Sequence, residues 1–161
     1  MTKVLITGMS GTGKSSALER LATLGHRVVD TDDPGWRAYH PYPHPSDEAH
    51  RGKWLWVEER MTALLDEEDD RALFVQGCVR NQDRWYDRFD AVVLLDAPLD
   101  VLLERVARRT TNPYGKTAVE RAMIEADFAE VLPLLRAGCT HELDATRPMA
   151  DVVADLAALA R

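Results

Sequence analysis

Short apolar segments alternate along this chain with longer segments in which apolar residues recur every three or four positions. The apolar segments predict five strands, at 3–7, 26–30, 72–76, 91–95 and 141–144. The helical spacing predicts a helix from near Lys14 to 24 and further helices over 46–68, 99–109, 117–137 (bent near Pro133) and 149–160. Strands that alternate with helices are typical of an α/β fold, in which helices cover both faces of a parallel sheet. We therefore expect a three-layer domain with right-handed crossover connections.

The most specific motif lies between the first predicted strand and the first predicted helix. Residues 8–15 read Gly-Met-Ser-Gly-Thr-Gly-Lys-Ser, which fits the phosphate-binding pattern G-x-x-x-x-G-K-[ST] at every position. The glycines let backbone N–H groups face phosphate oxygens, Lys14 can reach the β- and γ-phosphates, and the Ser15 hydroxyl can ligate Mg²⁺. The candidate nucleotide-binding residues are Gly8, Gly11, Thr12, Gly13, Lys14, Ser15 and Ser16. A glycine-rich turn with an exposed lysine is the alternative, and the strand–loop–helix context favours the phosphate site.

Composition narrows the class of protein. A length of 161 residues suits one domain, and 45% hydrophobic with 29% charged residues is ordinary for a globular chain. The net charge of -7 argues against a nucleic-acid-binding surface, which should be basic. Neither a secretory signal nor an apolar run of membrane-spanning length is visible, so we expect a cytoplasmic protein with no membrane partner. Cys78 and Cys139 lack metal-ligand spacing and are expected to be reduced thiols.

The polar residues that end the predicted strands form a second group. They are Thr7-Gly8, Asp30-Thr31-Asp32, Gln76-Gly77 and Asp96. Ligands of parallel α/β sheets bind at the carboxyl ends of the strands, so these residues are expected to line the rim of an active site.

With these motifs in this order, the chain resembles the small P-loop kinases of the shikimate kinase, gluconate kinase and adenylate kinase group. The resemblance implies a P-loop NTPase fold whose five-stranded parallel sheet has the order 2-3-1-4-5. It also implies a single kinase domain over 1–161, with a substrate-binding segment at about 34–60 and a lid loop at about 110–117. ATP and Mg²⁺ are the cofactors that it implies.

Asp30-Thr31-Asp32 resembles the D-x-D pair that ends the second strand of shikimate kinases. Carried over, Asp30 would support Mg²⁺ together with Ser15, and Asp32 would hold the acceptor hydroxyl and take its proton. Phosphoryl transfer depends mainly on positioning and charge neutralisation, with one carboxylate to orient the nucleophile, which suits these roles. A polar turn before Pro34 is the alternative interpretation.

Arginines precede the turn-rich loop that follows the predicted helix 99–109. The resembling families place lid arginines here, and Arg109 is the first candidate for the reaction centre, with Arg105 second. Asn112 in the loop is a further candidate for nucleotide contact. The alternative is an exposed helix end whose cations favour the negative end of the dipole.

Residues 76–80 read Gln-Gly-Cys-Val-Arg and stand where adenylate kinases have D-G-F-P-R. By this likeness Gly77 and Arg80 are candidates for acceptor binding, and Trp36 is a third because it lies in the predicted substrate segment. Gln76 replaces the aspartate that would support Mg²⁺, which moves that role to Asp30 or Asp96. The chain lacks three consecutive glycines here and an arginine in 125–128, which argues against shikimate itself as the acceptor.

The expected function is therefore that of an ATP-dependent phosphotransferase with a small-molecule acceptor. Asp32 favours a hydroxyl acceptor, whereas Arg80 favours a phosphate acceptor and thus a nucleoside monophosphate kinase. A nucleotide-binding switch or NTPase module without a small-molecule acceptor is the alternative from another class. The expected partners are ATP or ADP and the acceptor, and the chain is expected to be a monomer or a homodimer.

Overall fold

The computed structural model describes residues 1–40 and 53–160. The strands are β1 (Lys3–Thr7), β2 (Arg27–Asp30), β3 (Arg37–His40), β4 (Lys53–Trp56), β5 (Leu73–Gln76), β6 (Ala91–Asp96) and β7 (His141–Asp144). Five of them form a sheet in the order β2-β5-β1-β6-β7, and every neighbouring pair in it is parallel. Counted along the chain without the β3–β4 pair, this is the order 2-3-1-4-5, so the predicted topology is confirmed.

Helices cover both faces of the sheet. They are α1 (Lys14–Thr23), α2 (Glu58–Asp66), α3 (Leu99–Arg108), α4 (Ala118–Glu130), α5 (Leu132–Gly138) and α6 (Met149–Ala158), with a 3-10 helix at Gln82–Arg88. Side chains alternate across β1: Val4 and Ile6 pack with α1, α3, α5 and α6, and Leu5 packs with α2 and the 3-10 helix. The central strands are buried on both faces, as the continuous apolar runs predicted.

The structure corrects the helix that was predicted over 46–68. Its first residues, 46–52, lie outside the described residues, Lys53–Trp56 is a strand, and the helix begins only at Glu58. β4 pairs antiparallel with β3 in a separate two-stranded sheet, so a hairpin follows β2 where the helical spacing indicated none.

The long helix predicted over 117–137 is two helices. α4 ends at Glu130 and α5 begins at Leu132, with Pro133 in the first turn of α5. Proline lacks the N–H that would continue the bonding ladder of α4, so the predicted bend becomes a break. Within the described residues, none of these helices is both long and apolar enough to cross a bilayer.

Candidate active site

The glycine-rich loop joins β1 to α1 and folds around its own lysine. Lys14 Nζ donates to the carbonyl oxygens of Gly8 at 2.7 Å and of Met9 at 3.0 Å. The buried Thr12 hydroxyl donates to Met9 O at 2.9 Å, which fixes the loop from inside. Gly13 has φ 93° directly before the first helical residue, a conformation that suits glycine. The first turn of α1 therefore opens into a cradle of backbone amides, as an anion site requires.

Burial, Cys78, two aspartates and Arg109 all act on the pKa of Lys14, and of these Cys78 and the aspartates raise it. Desolvation inside the loop lowers the pKa of Lys14, and Arg109 acts in the same direction. Asp32 and Asp30 oppose this shift because their carboxylates favour the ammonium. Lys14 thus lies within electrostatic reach of both aspartates and of Arg109.

Ser15 and Asp30 form the pair that can hold a metal ion. The Ser15 hydroxyl lies 3.1 Å from Asp30 Oδ2 and donates to it. A hydroxyl and a carboxylate are the hard oxygen ligands that Mg²⁺ takes, and phosphate oxygens and water complete such sites. Asp96, the other predicted support, accepts a bond from Arg136 Nη2 at 2.6 Å. Desolvation raises the pKa of Asp96, with Arg136 opposing the shift.

Asp32 is held on two sides. Its Oδ2 accepts a bond from Gln76 Nε2 at 3.2 Å, and its Oδ1 pairs with Arg37 Nη1 at 3.3 Å. The same Gln76 nitrogen donates to Asp30 Oδ1, and the Asp32 backbone N–H donates to that oxygen at 2.9 Å. β2 and β5 pair in parallel with Asp30 opposite Gln76, which brings these groups together.

The two candidate arginines lie in different surroundings. Arg109 Nη2 donates to Tyr114 O at 2.9 Å, and its buried Nε bonds to none of the described residues. Desolvation lowers the pKa of Arg109 while Asp32 raises it, so the guanidinium lies within electrostatic reach of Asp32. Arg105 instead donates to backbone carbonyls, to Ala145 O at 2.7 Å and Gly11 O at 3.4 Å. It ties α3 to the glycine-rich loop and to the loop after β7.

The other nucleotide-site candidates lie at the surface. Ser16 is exposed in the first turn of α1, and Asn112 is exposed in the 110–117 loop. The Asn112 side-chain oxygen accepts the Tyr114 N–H at 2.9 Å and so closes a turn within that loop.

The acceptor-side candidates surround the end of β5. Gly77 is buried, and a Cβ there would overlap Thr31 Oγ1 and lie 3.1 Å from the Trp56 ring. Arg80 is exposed, and its backbone N–H donates to Trp54 O at 3.0 Å, which fastens this loop to β4. Trp36 is half-buried, and the Arg60 guanidinium carbon lies over it, 4.0 Å from the centroid of the Trp36 ring. Residues 41–52 of the predicted substrate segment lie outside the described residues.

Arg37 is the site residue that the sequence interpretation missed. It lies in β3, pairs with Asp32, and stacks 4.3 Å from the Trp54 ring centroid in β4. The aromatic-rich run at 53–56 was the signal that could have revealed the hairpin, and with it Arg37.

Comparison with known proteins places the chain among nucleotide-binding folds. A family described as an AAA domain matches residues 4–130. Nucleotide-binding proteins of Burkholderia multivorans and Burkholderia thailandensis are 31% and 30% identical over 95% of the chain. The chain spans about half the length of these curated relatives, 50% and 51%.

Solved structures show the same fold. Shikimate kinase from Acinetobacter baumannii in complex with shikimate superimposes with a TM-score of 0.64 and 20% identity, over 99% of this chain and 92% of that one. A gluconokinase from Sinorhizobium meliloti 1021 gives a TM-score of 0.58 and 22% identity, over 99% and 93%. The chain thus has the fold of the small P-loop kinases that its motifs resemble.

Proposed function

The chain belongs to the AAA domain family, and we propose that it is an ATP-dependent kinase that moves the γ-phosphoryl group of Mg-ATP to a small-molecule hydroxyl. One observation carries the proposal: Gln76 bonds both Asp30, which accepts from Ser15, and Asp32, which pairs with Arg37. A site that only binds nucleotide needs the first carboxylate and has no use for the second. The pair supplies a metal side and an acceptor side within one cluster.

The residues of the chain divide the work of transfer. The amides of 8–13 and the Lys14 ammonium would hold the phosphates, and Ser15 with Asp30 would hold Mg²⁺, which neutralises phosphate charge when bound. The acceptor oxygen bonds to the γ-phosphorus as the bond to the ADP oxygen breaks, and Asp32 takes the hydroxyl proton. Arg109 would balance charge on the migrating group. Closure of the 110–117 loop would exclude water and so limit hydrolysis.

The acceptor would enter between Asp32 and the 34–60 segment. Arg37 and Arg80 give this side positive charge, and Trp36 offers an aromatic face. A hydroxyl acceptor has a proton to give to Asp32, whereas a nucleoside monophosphate would use the arginines. Asp32, a carboxylate at the acceptor side, favours a hydroxyl acceptor. Nucleotides are included in the screen below so that a phosphate acceptor is also tested.

A second candidate is a nucleotide-dependent NTPase module with no small-molecule acceptor. The observation in its favour is that the curated relatives are named only as nucleotide-binding proteins and are about twice as long as this chain. Gln76, which stands where the resembling adenylate kinases have an acidic residue, also keeps this candidate open.

The deciding experiment is a thermal-shift screen of sugars, polyols, nucleosides and nucleotides in the presence of Mg-ADP. A ligand of the folded state at 100 times its Kd stabilises that state by about 2.7 kcal/mol, so an acceptor raises Tm by several degrees. Each stabilising compound is then incubated with Mg-ATP, and the phosphorylated product is identified by mass spectrometry. We expect at least one polyol, sugar or nucleoside to gain one phosphoryl group.

Lys14→Ala is the control, and it should abolish product because it removes the group that holds the β- and γ-phosphates. If no compound is phosphorylated and slow ATP hydrolysis is instead accelerated by a protein, the NTPase module is correct and the kinase proposal is wrong. If only nucleoside monophosphates accept the phosphoryl group, the hydroxyl assignment is wrong and the kinase class stands.

A further inference from the structure

Gln76 lies between the two carboxylates of the site and touches both. Its side chain is fully buried at the end of β5, opposite Asp30 on β2. Nε2 donates to Asp30 Oδ1 and, at 3.2 Å, to Asp32 Oδ2. A primary amide has two N–H groups, and here each one is used on a different carboxylate.

These two bonds decide which oxygen of each aspartate is left for other partners. Asp30 Oδ1 also accepts the Asp32 backbone N–H at 2.9 Å, so Oδ2 is the oxygen that meets Ser15. Asp32 Oδ2 is taken by Gln76, so Oδ1 is the oxygen that meets Arg37. One oxygen of each carboxylate is held inside the site, and the other is presented outward, toward the loop for Asp30 and toward the hairpin for Asp32.

The amide orientation follows from charge. Turned over, Gln76 would place Oε1 against two carboxylate oxygens, which repels, so Nε2 must face them. In the observed orientation Oε1 is buried and accepts no bond from the described residues. A glutamate at this position would add a third negative group to the same cluster, and an apolar residue would leave two carboxylates close together without a shared donor.

We propose that Gln76 is a positioning residue of the transfer site, which holds Asp30 toward the metal and Asp32 toward the acceptor by donating one N–H to each. The naming of the metal and acceptor sides rests on the proposed function, whereas the bridging amide does not. Residues that orient metal ligands through hydrogen bonds are commonly worth 10–100-fold in metal affinity. Gln76 takes no part in bond making and acts only through the two aspartates.

The test measures the Kd of ADP by calorimetry in EDTA and in excess Mg²⁺. The Mg²⁺ ratio is the Kd in EDTA divided by the Kd in Mg²⁺, so it is large when the site supports the metal. Gln76→Leu should reduce this ratio by about 10-fold or more, while ADP binding in EDTA stays within about twofold, because the loop itself is intact. Gln76→Glu should change the ratio in the opposite direction, since a third carboxylate favours a divalent cation. Damage to the fold alone would move both variants the same way.

Gln82→Leu is the matched control. Gln82 is also a buried glutamine, but it bonds Thr7 Oγ1 at 3.0 Å, Tyr86 and the Val79 N–H. The Gln82→Leu variant should have a lower free energy of unfolding and an unchanged Mg²⁺ ratio. An unchanged ratio in Gln76→Leu, or an equal loss in the Leu and Glu variants, would overturn the proposal.

A spectroscopic measurement separates this proposal from the kinase assignment. In the protein without nucleotide, the two Nε2 protons of Gln76 should give separate NMR resonances, one shifted by Asp30→Asn and the other by Asp32→Asn. If neither resonance shifts in either variant, the amide does not bridge the two carboxylates. If the bridge is present and no acceptor is ever phosphorylated, the kinase assignment fails and the positioning of the carboxylates stands.

Discussion

The Asp32 side chain is exposed to solvent, yet its two carboxylate oxygens each contact a neighbouring side chain. Its backbone follows the end of β2, its Oδ2 faces Gln76, and its Oδ1 faces Arg37 at 3.3 Å. An acceptor hydroxyl that approaches Oδ1 therefore meets the Arg37 guanidinium at the same point. On the proposed function, an acceptor must share this oxygen with Arg37 or displace the guanidinium, so we expect Arg37 to lie beside the bound acceptor.

Asp32→Asn should separate transfer from nucleotide binding. The amide oxygen of asparagine can still accept from Gln76, but the side chain can no longer take a proton. Loss of a general base typically costs 10²–10⁴ in rate, so we expect transfer to fall by about that factor. ADP affinity measured by calorimetry should stay within about twofold, because Asp32 makes no contact with the glycine-rich loop other than through charge.

Asp33→Asn is the matched control for this variant. Asp33 is the next residue, carries the same charge, and is exposed. Its backbone N–H donates to Asp30 O at 3.2 Å, which the substitution preserves. Transfer at the normal rate by Asp32→Asn with an identified acceptor would contradict the base assignment, as would an equal loss in Asp33→Asn.

Motif spacing predicts only contacts that are local along the chain. Lys14 and Ser15 were predictable because eight consecutive residues build the phosphate site. Gln76 and Asp30 are 46 residues apart, and their contact depends on the β2–β5 register. This register cannot be deduced from a single sequence. The order of the strands was predictable, so the meeting of their ends was expected, but the bond that joins them was not.

The hairpin β3–β4 is the element that periodicity misassigned. Trp54, Val57 and Met61 recur at helical spacing, but Trp54 belongs to a strand and Val57 is extended, with ψ 110°. Cross-strand contacts favour the hairpin: Tyr39 lies opposite Trp54, and their rings pack edge to face at 5.3 Å. Such pairs stabilise two-stranded sheets, and they are invisible to a pattern that counts residues along one segment.

Lys116 closes the base of the predicted lid loop against the end of α3. Its Nζ donates to the carbonyl oxygens of Val106 at 2.8 Å and of Ala107 and Arg109 at 2.6 Å. A cation on the last carbonyls of a helix satisfies orphan acceptors and complements the dipole. Lys116→Ala should therefore lower the free energy of unfolding by about 1 kcal/mol, measured by urea denaturation.

Arg108→Ala provides the comparison for Lys116. Arg108 is a cation in the same turn, but its partner is Glu104 in an exposed pair at 2.8 Å. Exposed pairs contribute little, so we expect a loss of about 0.5 kcal/mol or less. Equal losses in the two variants would mean that Lys116 does not cap the helix.

The five-stranded parallel sheet was predictable, whereas the β3–β4 hairpin and the acceptor were not. Alternating strands and helices predict a parallel sheet with right-handed crossovers, and the resemblance to the small P-loop kinases implies its strand order. On the proposed function we expect specificity to depend on the segment after β2, where Arg37 of the hairpin meets Asp32. Fold likeness at 20% identity carries no information about that segment.

The chain as a whole should lose stability in acid, since carboxylates at widely separated places have lowered pKa values. Hydrogen bonds from Thr146 lower the pKa of Asp144, bonds from Lys3 and the N-terminus lower that of Glu68, and the Thr117 backbone N–H lowers that of Glu120. A carboxyl whose pKa is lower in the folded state stabilises that state above its unfolded pKa, and this contribution is lost as pH falls through the folded value. Burial raises the pKa of Asp96, so the protonation of this carboxyl favours the folded state as the pH falls and opposes the loss of stability.

The urea midpoint should therefore fall steadily as the pH drops below about 5, where unfolded carboxyl groups begin to bind protons. Asp144→Asn should flatten this dependence, because the asparagine can accept the Thr146 bonds at any pH but has no proton to bind. Glu19→Gln is the control: within residues 1–40 and 53–160 its side chain makes no hydrogen bond or ion pair, so its loss should leave the slope unchanged. A midpoint that is constant from pH 5 to pH 3 would show that these bonds do not favour the ionised carboxylates, because protonation would then cost the folded chain nothing.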